Sequence, residues 1–281
     1  MTELYEDLIR FKQYYCTVAE KIPADSVYQE FINHKFRHSI DVLQVGRDIL
    51  YNTPELANAT DEFRLLSERA LLFHDVGRFE ENFKRYEAEL QHDTMSAFTM
   101  RINHGDIGYE ILKNDEIYGD MRILFAIKYH GQMIDDVYAS DLWKQAEKSP
   151  HKTEIQQILL LVRDADKMAN LKVIKQRDHL REDIFYKQLS QEAKTAGISH
   201  QVAEQFFNKQ VVKVNTMRTY ADRVVMVLSW IFDFNYVYTR QMFTEKKYPE
   251  YLMKELKTCQ VSFNDLDKIE RFYKSYLFNV D

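Results

Sequence analysis

His74 and Asp75 stand side by side after an apolar run, Ala70-Leu71-Leu72-Phe73, and Val76-Gly77-Arg78 follows them. A neutral imidazole nitrogen beside an anionic oxygen is a donor set for zinc, iron or manganese. A carboxylate can also bridge two ions, which an imidazole cannot conveniently do. The apolar run predicts a helix that ends at this pair, and a helix C-terminus carries the negative pole that favours a cation. His130 repeats the arrangement, after Ile123, Ala126 and Ile127 and before Gly131. His104 opens a segment with Gly105 and Gly108, small residues that permit tight packing around a site, and His38 shares a predicted helix with Val42 and Val45. Asp164 shares a helical face with Leu160, Leu161, Met168 and Leu171. An ionised carboxylate on such a stripe costs several kcal/mol unless something positive meets it.

Taken singly, each histidine reads equally well as a hydrogen-bonded core or surface imidazole, and Asp164 as half of a structural ion pair with an arginine. Taken jointly, the order H…HD…H…H…D across separate predicted helices is a metal-ligand pattern.

The elements that must position these residues read with helical period almost throughout. Leu4, Leu8, Phe11 and Tyr15 mark a first helix that ends before Pro23. Asp25 or Ser26 caps a second, which carries His38 and breaks at Asn52-Thr53-Pro54. Thr60 caps a third that stops near Gly77. Residues 78–100, aromatic and charged without clean period, are expected to form a loop with short helical turns. Asn103 caps a helix from His104 to Leu112, another ends at His130, and Thr153 starts a long one through Ile158, Val162, Ala165 and Ala169. From about residue 177 the chain is helical and aromatic, notably V-V-M-V-L-S-W-I-F-D-F-N-Y-V-Y, which reads as core or a subunit contact. No internal repeat or flexible linker is visible. The expected architecture is a single all-α domain over 1–281, with a metal-binding core at about 30–175 and a helical elaboration at about 177–281.

The bulk composition agrees. Only 7 glycines and 4 prolines in 281 residues argue against folds that need many tight turns. A net charge of −6 gives no global reason to expect a nucleic-acid polymer or a membrane surface as partner. Any anionic substrate must be drawn by a local positive patch or by bound metal. Cys16 and Cys259 are distant and unaccompanied, the M-T-E-L-Y-E-D start lacks the plan of a signal peptide, and no apolar stretch is long enough to cross a bilayer. The cytoplasm is the expected compartment, and a homodimer is compatible with the aromatic C-terminal region.

The strings F-R-H-S-I-D-V, A-L-L-F-H-D-V-G-R and L-V-R-D-A-D-K, in the order H…HD…D, resemble the HD superfamily of metal-dependent phosphohydrolases. His104 in N-H-G-D-I-G-Y-E-I-L and His130 in A-I-K-Y-H-G resemble the subset that holds two metals. The resemblance covers about residues 30–175 and implies an all-α HD helical bundle. It implies one ion (manganese, iron, zinc, cobalt or magnesium) on His38, His74, Asp75 and Asp164, and a second on Asp75, His104 and His130. Asp75 would be the bridging catalytic carboxylate. Water on such ions has its pKa lowered towards about 7, so a hydroxide could attack phosphorus in a phosphate ester or nucleotide. The features of cyclic-di-GMP phosphodiesterases after His130, of alarmone hydrolases after Asp75 and of dNTP triphosphohydrolases are absent from this sequence, which leaves other small phosphorylated substrates open. Two other readings stay open as well: a di-iron oxygenase acting on a small polyol or phosphonate, and a non-catalytic, metal-stabilised sensing module.

Basic groups near the motifs are candidates to meet phosphate. Lys167 lies three residues beyond Asp164, Arg78 follows the His-Asp pair and Arg37 precedes His38. A structural ion pair with a ligand carboxylate is the alternative for each, and Lys167 is also expected to serve catalysis. His92-Asp93 is a second His-Asp pair in polar surroundings, from which Asp93 could reach the cleft as a substrate contact. His34, one turn before His38, matches the family pattern less well, and Asp166 reads as a supporting or solvated acid.

Overall fold

The computed structural model describes residues 2–91, 103–177, 179–182 and 184–278. Every regular element among them is a helix. The chain divides into two compact units, Met1–Ala169 and Asn170–Asp281.

The first unit begins with α1 (Thr2–Ala19) and α2 (Val27–Asn52), the latter capped by Ser26, whose side chain accepts from the Tyr28 amide. Helix α3 (Asp61–Phe73) is capped by Thr60, which accepts from the Phe63 amide. Ser and Thr hydroxyls satisfy amides that have no partner within the helix, which fixes where each helix starts. Next come α4 (Gly77–Leu90), α5 (His104–Leu112), α6 (Met121–Tyr129), α7 (Ile134–Ala139), α8 (Asp141–Ala146) and the long α9 (Lys152–Arg177).

The stretch expected to be a loop is therefore helical for its first part. Two features explain the 14-residue α4. Phe79 and Glu81 are buried, and Arg78, Glu81 and Arg85 form ion pairs three and four residues apart, so charge rather than hydrophobic period carries the helical signal. Asp93 and His92 lie outside the described residues.

An aromatic hub fixes the turn between α3 and α4. The fully buried Phe11 ring of α1 meets Phe36 of α2, Phe73 at the end of α3 and Phe79 in α4, at centroid separations of 5.5, 5.2 and 5.6 Å. Phe73 and Phe79 flank the His74-Asp75-Val76-Gly77 turn, so burying them anchors both its ends. Buried Asp7 adds a polar lock, accepting from Tyr118 Oη at 2.6 Å and Arg69 Nε at 2.9 Å. From α9, Ile155, Ile158, Leu159, Leu161, Val162, Ala165 and Met168 are buried in a continuous face.

The second unit has its own core. The helical segments are α10 (His179–Glu182), α11 (Ile184–Gln188), α12 (Gln191–Thr195), α13 (His200–Phe207), α14 (Tyr220–Leu228), α15 (Val237–Glu245), α16 (Tyr248–Leu256) and α17 (Phe263–Phe278). Helix α14 buries Val224, Val225, Met226, Val227 and Leu228, so beyond Asp222 and Arg223 it is apolar on every side. Of the aromatic run from Trp230 to Tyr238, read from sequence as core or a subunit contact, Phe234 and Tyr236 are buried and Trp230, Phe232 and Tyr238 are half-buried. Buried Glu255 ties α16 to α14 by accepting from Tyr220 Oη at 2.6 Å. No described helix is long and apolar enough to cross a membrane.

Candidate metal centre

Helix ends and tight backbone approaches bring the site together. His74 and His130 occupy equivalent places, each as the residue that follows the last turn of its helix, α3 and α6. Each ring turns Nδ1 back to the carbonyl three residues earlier, Leu71 O at 2.9 Å and Ile127 O at 3.0 Å. Those carbonyls belong to the last turn and lack helical partners. An N–H on Nδ1 that donates to a carbonyl leaves Nε2 as a lone pair, and this is how ligating histidines are commonly oriented. Arg163 of α9 pins the turn after α6 by donating to His130 O at 3.0 Å.

Glycines set the spacing of the backbones that carry these rings. A Cβ on Gly77 would overlap the carbonyl oxygen of His104, and one on Gly105 would overlap that of Lys128. Helices α4, α5 and α6 therefore approach as closely as bare backbone permits. His104 opens α5 under the Asn103 cap, which accepts from the Gly105 amide at 3.0 Å.

The result is one continuous cluster. His38, His74 and Asp75 place a ligand atom each within 4.8 Å of one another, and so do Asp75, His104 and His130. Asp75 belongs to both groups and divides its oxygens between them. Oδ2 is 3.5 Å from His74 Nε2, whereas Oδ1 is 3.4 Å from His104 Nε2 and 3.5 Å from His130 Nε2. The His104 and His130 Nε2 atoms are 3.2 Å apart. Two ligand atoms bonded at 2.0–2.2 Å to one tetrahedral ion lie about 3.3–3.6 Å apart, so the spacing fits shared ions. His74 Nε2 is buried without a hydrogen-bond partner. An orphaned lone pair in such a place needs a proton or a cation.

Electrostatics point the same way. Burial pushes His38 down and His104 down to about 2, which favours neutral, ligating imidazoles. Burial also opposes charge on His74, but Asp75 and Asp166 outweigh it and raise its pKa. Asp75 is held well below the usual carboxylate range: burial works against this, and the Lys35 ammonium and His74 overcome it.

The second acid of the cluster is Asp166. Its Oδ1 lies 2.9 Å from His38 Nε2 and 4.0 Å from His74 Nε2. Asp164, expected at this place, is two residues earlier on α9 and so projects about 200° away round the helix. It is fully buried, whereas the Asp166 side chain is 24% exposed. The sequence pattern points to the acid on the apolar stripe, whereas Asp166, at the edge of that stripe, lies against His38. The D-A-D string held both, and the requirement that a substrate site open to solvent would have favoured Asp166.

The basic residues also sort differently from expectation. Lys167 Nζ donates back to Arg163 O at 3.3 Å. The ammonium on Asp75 is that of Lys35, with Nζ 2.8 Å from Oδ2. Lys35 lies one turn before His38 on α2, a spacing common on helix surfaces that does not single it out. Arg78 forms an ion pair with a ligand carboxylate, the alternative given for it, with Nε 3.5 Å from Asp75 Oδ1. Arg37 is exposed and acts on the Tyr15 phenol, away from the His38 face.

The family model for the HD domain matches residues 36–171. Residues 36–171 form an HD domain. The matched span contains all the clustered side chains except Lys35, which lies one residue before it, and the all-helical bundle of the first unit is the architecture that the HD domain implies. No curated protein and no solved structure matches the chain. The HD domain and its two His/Asp groups fit divalent metal binding.

Proposed function

We propose that the HD domain of this chain is a metal-dependent phosphohydrolase that cleaves a small phosphate ester or nucleotide. The observation that carries this is the division of Asp75, one oxygen towards His74 and the other towards His104 and His130. In this reading His38, His74, Asp75 and Asp166 would hold one ion, and Asp75, His104 and His130 a second. Divalent ions so held supply acidified water near neutral pH and offset charge growing on phosphoryl oxygens.

The chain's own groups do the rest. The Leu71 and Ile127 carbonyls hold the His74 and His130 rings with Nε2 turned inward. Lys35 and Arg78 set positive charge at the two oxygens of Asp75, where an anionic substrate must arrive. The unpaired thiols of Cys16 and Cys259 support a reducing compartment, the cytoplasm.

The test is turnover of a panel of phosphomonoesters, phosphodiesters and nucleotides by the chain loaded in turn with manganese, iron, cobalt, zinc or magnesium. Release of phosphate or nucleoside that stops in a D75N variant is the expected result. No turnover with any ion across the panel would remove the proposal. Oxygen consumption on polyols or phosphonates by the iron form would move the chain to the oxygenase reading.

A further inference from the structure

Beyond the ligand cluster, the charged side chains of α4 form a second arrangement. Arg78, Glu81 and Arg85 share one face, at offsets of three and seven residues. The Glu81 carboxylate is 5% exposed and both its oxygens are engaged, Oε2 by Arg78 Nη1 at 2.7 Å and Oε1 by Arg85 Nη2 at 3.0 Å. Arg78 also reaches Asp75, and Lys35 approaches the other oxygen of Asp75 from α2. Lys35, Arg78 and Arg85 thus stand in a line that starts at the candidate metal centre.

The cations are accessible although their anchors are not. Side-chain exposure is 25% for Lys35, 31% for Arg78 and 22% for Arg85, against 3% for Asp75. Two guanidinium groups on one carboxylate repel each other, and an anion between them offsets that repulsion. Arg78 Nε is a buried donor with no hydrogen-bond partner. Two guanidinium groups fixed on either oxygen of one carboxylate also keep their planar forks preorganised, the condition for recognising phosphate.

We infer that Glu81 is a positioning residue, holding Arg78 and Arg85 as the two arms of an anion site that Lys35 completes and that takes a ligand with two linked phosphoryl groups. The group to be attacked lies at Lys35 and Arg78, beside the metal centre, and the second phosphoryl group meets Arg85. The inference rests on the phosphohydrolase reading for the identity of the ligand.

Methylenediphosphonate, which resists hydrolysis, and orthophosphate are titrated calorimetrically into the full-length, manganese-loaded chain, with metal counted before and after. The wild type is expected to bind the diphosphonate more tightly than phosphate by about tenfold, the equivalent of one additional charge-assisted contact. R85M removes this preference and leaves orthophosphate affinity in place; E81Q weakens both ligands, the diphosphonate more, and E81D restores part of the loss. Metal content stays at the wild-type level in all three.

Diphosphonate binding by R85M and E81Q equal to wild type overturns the inference, and so does loss of metal together with anion. If Glu81 variants do not fold, R85M alone decides, since that side chain is partly exposed. A diphosphonate preference that R85M abolishes, in a chain that turns over no phosphate ester, keeps the anion site and sinks the phosphohydrolase. Turnover with an R85M variant that binds diphosphonate normally does the reverse.

Discussion

Asp164 and Asp166 give the sharpest comparison between residues. Both are acids on α9, two positions apart, and Asp166 lies 2.9 Å from His38. D166N is expected to weaken metal binding by more than about tenfold, the lower range seen when groups that support a metal site are removed. D164N should keep the metal and lower the melting temperature, because it changes a fully buried group. Metal analysis after dialysis, beside a thermal melt, separates the two, and equal metal loss in both variants would contradict the geometry. The sequence made His38, His74, Asp75, His104 and His130 legible because each sits at a helix end or on a helix with clear apolar period. It misplaced the last acid because an apolar stripe locates the core, and a site that admits substrate lies at the edge of the core. Lys35 escaped because a cation one turn from a histidine is an ordinary surface pattern until the fold brings Asp75 to it.

His74 also makes metal uptake depend on pH. Burial opposes its charge, but Asp75 and Asp166 hold its pKa above the ordinary histidine value. The metal-free chain therefore carries a proton on His74 at pH values where a free histidine has begun to lose it. A metal ion must displace that proton, so affinity should fall as pH drops through the raised pKa and uptake near neutrality should release protons. Calorimetry in buffers of different ionisation enthalpy reads the proton directly. Uptake without proton release between pH 6 and 7 would show that His74 is neutral before the ion arrives.

Among the elements, the approach of α4 to α5 is the feature on which the second half of the cluster depends. Gly77 faces the backbone of His104 so closely that a methyl group has no room. G77A must push the two helices apart, at a cost of about 1–3 kcal/mol if the shift is absorbed as ordinary overpacking. His104 moves with α5, whereas His38 and His74 belong to α2 and the end of α3. The variant is therefore expected to lose metal selectively from the His104–His130 side, so that a chain binding two ions binds one. Titration with a chromophoric ion such as cobalt would count them. Full stoichiometry in G77A would mean that α5 can retreat without taking its imidazole out of reach. Sequence period could not reveal the helix that carries Gly77. Only Phe79 and Glu81 of α4 are buried beyond Gly77 itself, and the ion pairs Arg78–Glu81 and Arg85–Glu81 supply the periodicity that apolar residues do not.

For the whole molecule, the division into Met1–Ala169 and Asn170–Asp281 makes metal a probe of cooperativity. All the clustered ligands belong to the first unit, and the second is built round its own apolar helix α14 and buried Glu255. A ligand that binds only the folded form stabilises it by about 2.7 kcal/mol at a hundred times its Kd. For a unit of this size that corresponds to a rise of about 5–10 °C in melting temperature. Chelation should therefore lower one thermal transition by that amount and leave a second, metal-independent one in place, since no described residue of the second unit joins the ligand set. Scanning calorimetry with and without chelator checks this. A single transition that moves as a whole would mean that the two units unfold together and that metal stabilises the entire chain, in which case Gly77 and Asp166 substitutions should depress the stability of residues far beyond the first unit.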